Sequence, residues 1–152
     1  MSARRATLLL CLLLGAEAGA DEHGALRIER ADGVQVVFEV ELARSLAARR
    51  TGLMGRQALP ARHGMLFDFA RLGTVTMWMK DTPLPLDMLF LDESGRVLWL
   101  YADAAPGSLT LISAPMPARY VLEINGGEAR GLGIAVGDVV RGAALGASRS
   151  WP

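Results

Sequence analysis

Three ionisable side chains interrupt runs that otherwise read as apolar strands. Lys80 closes Met77-Trp78-Met79, Asp87 stands within Leu86-Asp87-Met88-Leu89-Phe90, and Glu123 within Tyr120-Val121-Leu122-Glu123-Ile124. Charges set among core-type side chains are expensive to desolvate, so each must be paired or put to use. Two carboxyls and a lysine can orient hydroxyls and hold an acceptor, and Trp78 adds a flat apolar surface for a ring. Arg50 and Arg56 flank Gly52-Leu53-Met54-Gly55, and a guanidinium matches carboxylate or phosphate geometry. The candidate ligand-binding set is therefore Trp78, Lys80, Asp87 and Glu123, with Arg50 and Arg56 at its margin. The ligand such a set implies is a carbohydrate or another small polar molecule. All of this requires Lys80, Asp87 and Glu123 to converge.

Two other readings compete. A structural or interaction protein without a pocket would have Lys80 satisfy Asp87 while Glu123 takes Arg50 or backbone donors, because buried paired charges also hold a fold in register. A small hydrolase would use Asp87 and Glu123 as an acid/base pair, which demands two carboxyls at a defined separation. Nucleophilic triads find little support, since His23 and His63 are the only histidines and no Gly-x-Ser-x-Gly elbow is present. No phosphate-cradling glycine motif occurs either. Thioethers bind Cu(I), and Met77-Trp78-Met79 invites that idea. On a strand, however, Met77 and Met79 share a face with Val75, which is the pattern of core filling. No metal and no cofactor is expected, and no catalytic residue is assigned outright.

The elements that must position these residues are short. Residues 34–42 alternate apolar and polar as a half-buried strand does, and 41–50 follow with helical spacing that Gly52 stops. Strands are expected over 65–69, 75–80 and 86–91, a turn at 92–95, and a hairpin partner at 97–101. Residues 104–117 read as a surface loop, 120–125 as a strand, 126–133 as a turn or one short helix, and 139–144 as a last strand. The expected class is mainly β, a β-sandwich or partly closed barrel with one or two short helices; α+β is the alternative.

The chain's ends and composition limit the function further. Arg4-Arg5, the apolar run at 8–14 and Ala18-Gly19-Ala20 form a signal-peptide pattern over 1–20. Cleavage near Ala20 would make the product periplasmic or secreted, with a single domain over 21–147 and a frayed tail at 148–152. The chain's single cysteine, Cys11, lies inside that signal. The remainder thus has no disulfide, no thiolate nucleophile and no thiolate metal ligand. The formal net charge of the whole chain is +0, which offers no global attraction to nucleic acid or to a membrane surface, so neither is expected as a partner.

Several ordered blocks carry a family resemblance. Arg50-Thr51-Gly52-Leu53-Met54-Gly55-Arg56, Gly64-Met65-Leu66-Phe67, Trp78-Met79-Lys80-Asp81-Thr82 and Pro85-Leu86-Asp87-Met88 come first. Tyr120-Val121-Leu122-Glu123, Gly126-Gly127 and Gly137-Asp138 follow. Together they resemble the family known as domain of unknown function 192 (DUF192), over about residues 28–142. The resemblance implies a small, mainly β domain, often exported or anchored in prokaryotes, and supplies no established activity. This chain departs from the family pattern at Asp81, where Asn is common, and at Met77 and Gly55, where an aromatic is common.

Overall fold

The computed structural model describes residues 22–146. The expected signal segment at 1–20 and the tail at 148–152 lie outside the described residues. Nine strands and two short helices follow in order: β1 (Glu22–Glu29), β2 (Gln35–Ala43), α1 (Leu46–Thr51), β3 (His63–Gly73), β4 (Thr76–Met77), β5 (Leu86–Leu91), β6 (Val97–Ala104), β7 (Ile112–Ser113), β8 (Ala118–Asn125), α2 (Glu128–Gly131) and β9 (Val139–Arg141). Seven strands form one curled sheet in the order β6-β5-β8-β3-β2-β1-β9, and β4 pairs with β7 in a separate ribbon. Only β2 and β3 run parallel; the other pairs are antiparallel.

The curl brings the two outer strands together at one end. The Val97 amide donates to the Asp138 carbonyl at 2.9 Å, the Gly137 amide to the Val97 carbonyl at 2.9 Å, and the Val140 amide to the Gly95 carbonyl at 2.8 Å. This half-barrel meets the expectation of a mainly β, partly closed barrel. Its concave side is filled by Leu26, Ile28, Phe38, Leu66, Leu89, Leu91, Tyr120, Leu122, Ile124 and Val140, drawn from six of the sheet's strands. The convex side of β3, β5 and β8 carries a second core of Met65, Phe67, Met88, Phe90 and Val121. Ala48, Leu53, Met77, Met79 and Ile112 roof it, so α1 and the β4–β7 ribbon make an outer layer.

Several element boundaries differ from expectation for identifiable reasons. The helix begins at Leu46, not at 41, because Glu41, Leu42 and Ala43 are still paired with Met65, Leu66 and Phe67. Ser45 then caps it, accepting the Ala48 amide at 3.0 Å, and Gly52 ends it at φ 47°. Strand β1 was not anticipated: only Leu26 and Ile28 of its residues are buried core positions, too few to show a period of two. Strand β7 lies inside the expected loop at 104–117 and exists only as the partner of β4. Strand β4 is shorter than the 75–80 segment, and β9 shorter than 139–144.

The seam depends on Gly95. It sits at φ 83°, and a Cβ there would fall 2.3 Å from the Val140 carbonyl oxygen. Gly33 has a similar φ of 84° with nothing within 4 Å. Gly33→Ala should therefore show only backbone strain, about 1 kcal/mol. Gly95→Ala should lose about 2 kcal/mol or more beyond that, because it also parts the seam. Urea denaturation of the two variants checks the difference, and equal losses would contradict this account of the seam.

Candidate functional site

The pairing of β5 with β8 decides where the two acids go. Asp87 lies opposite Ile124, and Met88 opposite Glu123. Successive side chains on a strand point to opposite faces. Asp87 therefore shares the concave face with Leu89, Leu91, Leu122 and Ile124, while Glu123 shares the convex face with Met88, Phe90 and Val121. The expected convergence of Lys80, Asp87 and Glu123 does not occur, because the thickness of the sheet separates the two carboxyls. The same separation removes the acid/base pair that glycoside hydrolysis would need.

Asp87 is fully buried and bonded entirely to backbone. Its Oδ1 accepts the Asp103 amide at 2.8 Å and the Gly127 amide at 3.0 Å, and its Oδ2 accepts the Ala129 amide at 2.9 Å. One carboxylate thus ties β6 and the turn into α2 to β5. Asp138 does similar work near the seam, accepting the Ala31 amide at 3.1 Å and the Ala135 amide at 2.8 Å.

Glu123 has the opposite surroundings. It is 3% exposed. Its neighbours across the sheet are Met65 on β3 and Met88 on β5, both buried. Among the described residues its carboxyl makes no side-chain hydrogen bond and no ion pair. Burial alone acts on its proton and pushes the group up to about 8. The carboxyl opens on a cavity of about 30 Å³ that is also lined by Arg50, Gly52, Met54, Phe67, Met77, Trp78 and Thr82. That volume holds a water or two, or one small polar group of a ligand.

Three of the six residues singled out from sequence, Arg50, Trp78 and Glu123, therefore line one cavity. The other three are elsewhere. Asp87 is on the far face. Arg56 forms a two-pronged pair with Glu41 at 2.8 and 2.6 Å. Lys80 is exposed, with Nζ 3.3 Å from Asp81 and 5.6 Å from the centre of the Trp78 ring. Lys80 faces a separate open groove of about 630 Å³ bounded by Gly55, Asp81, Pro83 and Leu109. Thr82 lines both the cavity and the groove. Its burial in a polar turn, with its hydroxyl donating to the Lys80 carbonyl at 3.1 Å, was not anticipated. Its place in the Trp78–Thr82 block was the available signal.

At the mouth, α1 presents two arginines with different fates. The Arg49 guanidinium donates to the carbonyls of Arg44 and Asp68, the latter at 2.9 Å, and lies 5.5 Å over the Phe69 ring. Arg50 is exposed and has no hydrogen-bond or ion-pair partner among the described residues. Trp78 is 45% exposed. The arrangement offers a cation, an aromatic ring and a hydroxyl around one buried acid.

Two predictions follow from these contrasting acids. Asp87→Ala leaves three amides, one buried and two part-buried, without an acceptor and should cost about 3 kcal/mol; Asp87→Asn keeps one oxygen and should cost less. For Glu123 the folded state holds the proton up to about 8, against an ordinary value of 4.5. Between those limits the folded state binds more protons than the unfolded chain, so stability falls as pH rises, by up to about 1.4 kcal/mol per pH unit. Glu123→Gln should flatten that decline and match or exceed the wild type above pH 8. Denaturant midpoints measured across this pH range test both statements.

Known proteins place this architecture. The DUF192 family profile, described as "Uncharacterized ACR, COG1430", matches residues 27–142. A protein from Sinorhizobium meliloti 1021, described as a "putative transcription regulator", has a similar structure, with a TM-score of 0.81 and 40% identity over 82% of this chain and 97% of that one. A protein of unknown function from Novosphingobium aromaticivorans DSM 12444 aligns with a TM-score of 0.74 and 39% identity, covering 77% of this chain and 83% of that one. No significant match was found among curated proteins. The family profile spans most of the chain, from the end of β1 to the end of β9, and so the protein belongs to the DUF192 family.

Proposed function

We propose that this protein is an exported binding module for a small polar ligand, received where Arg50, Trp78, Thr82 and Glu123 meet. The observation that carries the reading is Glu123 itself. A buried carboxyl with no protein partner forgoes about 1–3 kcal/mol of hydrogen bonding, and a buried methionine setting gives it no structural return. A ligand group entering the cavity would supply the missing partner. Trp78, half exposed at the rim, would then cover the part of the ligand that remains outside.

The size of the cavity defines the mode of binding. Whole-ligand pockets run to about 300–1,000 Å³, against about 30 Å³ here. Only one group of the ligand enters, and a ring lies against Trp78 at the surface. A sugar suits this division, since it has polar substituents and an apolar ring face. A hydrolytic role has less support, because Asp87 is committed to three backbone amides on the opposite side of the sheet. The signal pattern at 1–20 supports an extracytoplasmic encounter with the ligand, and the net charge of +0 argues against nucleic acid as the partner.

Trp78→Ala removes a half-exposed side chain whose covered part packs at the cavity rim, so it should cost about 1–2 kcal/mol of stability and leave the fold intact. It should weaken binding of a sugar found by thermal-shift screening about 3- to 10-fold. Calorimetric titration of wild type and variant checks this, and unchanged affinity would remove Trp78 from the site.

A further inference from the structure

We propose that the group received beside Glu123 is a carboxylate, so that the ligand is an acidic one, with Arg50 as its counter-charge and Glu123 as a hydrogen-bond donor to it. This rests on the binding reading above and names the chemistry of the group that enters.

The charges around the cavity favour this class. Its lining includes two cations, Arg49 and Arg50, and one acid. Arg49 is committed to backbone carbonyls and to Phe69, whereas Arg50 is not. Arg50 and Glu123 line the same space without an ion pair between them, so each keeps its hydrogen-bonding capacity for a group that enters. An ammonium ligand would instead face both arginines.

The protonation of Glu123 completes the match. On the strands that flank it, the facing residues are Met65 and Met88, and on β4 Met77, none of which titrates. Lys80 and Asp81, from the turn after β4, pair with each other and line the neighbouring groove, with Lys80 Nζ 5.6 Å from the centre of the Trp78 ring. Arg49 and Arg50 are thus the charged groups that face Glu123. At neutral pH the carboxyl keeps its proton and can donate it to a carboxylate oxygen, an O–H···O⁻ bond of the short, strong kind. The guanidinium of Arg50 takes the second oxygen. Once Glu123 ionises, the same site repels the same ligand.

The test is a titration of the full chain with glucuronate, its methyl ester, glucose and N-acetylglycine, followed by the Trp78 indole signal in NMR and assigned with Trp78→Phe. At about pH 6, glucuronate should bind at least about 10-fold more tightly than its ester, and that preference should largely vanish at about pH 9.5. Arg50→Gln should abolish the preference for the acid. Glu123→Gln retains a donor, so it should keep the preference and lose its pH dependence. Tighter binding of N-acetylglycine than of glucuronate would keep the carboxylate and assign it to a peptide C-terminus in place of an acidic sugar. Equal affinity for glucuronate and its ester at pH 6 overturns the carboxylate while leaving a neutral-ligand module standing. If none of the four perturbs the indole, the carboxylate proposal falls, and the module then stands or falls on the thermal-shift screen.

Discussion

The pairing of β5 with β8 governs everything the two acids can do. With Met88 set against Glu123, strand alternation sends Asp87 into the concave core and Glu123 out to the convex layer. A slip of one residue in either strand would exchange inside and outside for that strand and bury the wrong side chains throughout. The register is held from both sides of the sheet. Leu89, Leu91, Leu122 and Ile124 pack inside it, and Met88, Phe90 and Val121 pack outside it. Asp87 strengthens the same register, since its carboxylate reaches the Asp103, Gly127 and Ala129 amides only when β5 sits at this height against β6 and β8.

The two carboxyls, similar in a linear reading, therefore have opposite electrostatic fates. Asp87 loses its water but gains three amide donors. Glu123 loses its water to methionines and gains nothing from the protein, which keeps it protonated well above the ordinary range. Among the described residues, the cations near the convex side do not neutralise Glu123. Arg49 is turned to backbone carbonyls, Arg56 is held by Glu41, and Lys80 by Asp81. What separates a structural acid from an available one here is the supply of donors, since both are almost completely buried.

Much of this was legible in the sequence, within limits that are physical. The strand at 34–42 alternates almost throughout, and those at 86–91 and 120–125 are apolar runs broken by a single acid, so their existence could be read directly. The helix end at Gly52 and the hairpin turn at 92–95 follow from local chemistry. The relation between faces of different strands is not local. Lys80, Asp87 and Glu123 each interrupt an apolar run, and that pattern is the same whether they converge or point apart. Only the β5–β8 register decides it. Strands β1 and β7 escaped for a related reason: each is specified by its partner, β2 or β4, more than by its own residues.

The outer layer explains why an unpaired acid is tolerated in so small a fold. A seven-stranded half-barrel with a filled concave side has a core independent of what covers β3, β5 and β8 on the convex side. Helix α1 and the β4–β7 ribbon cover that side incompletely, meeting at the gap that Gly52, Trp78 and Thr82 border. Adding a methyl group at Gly52 would bring it within 3.2 Å of the Phe67 ring, so the absence of a side chain there helps keep the gap. Stability then resides in the inner core and in Asp87, while the convex gap carries the electrostatic penalty of Glu123. Proteins commonly concentrate such locally unfavourable arrangements where function needs them. The separation of a well-satisfied inner acid from an unsatisfied outer one is what favours the convex side for the proposed site.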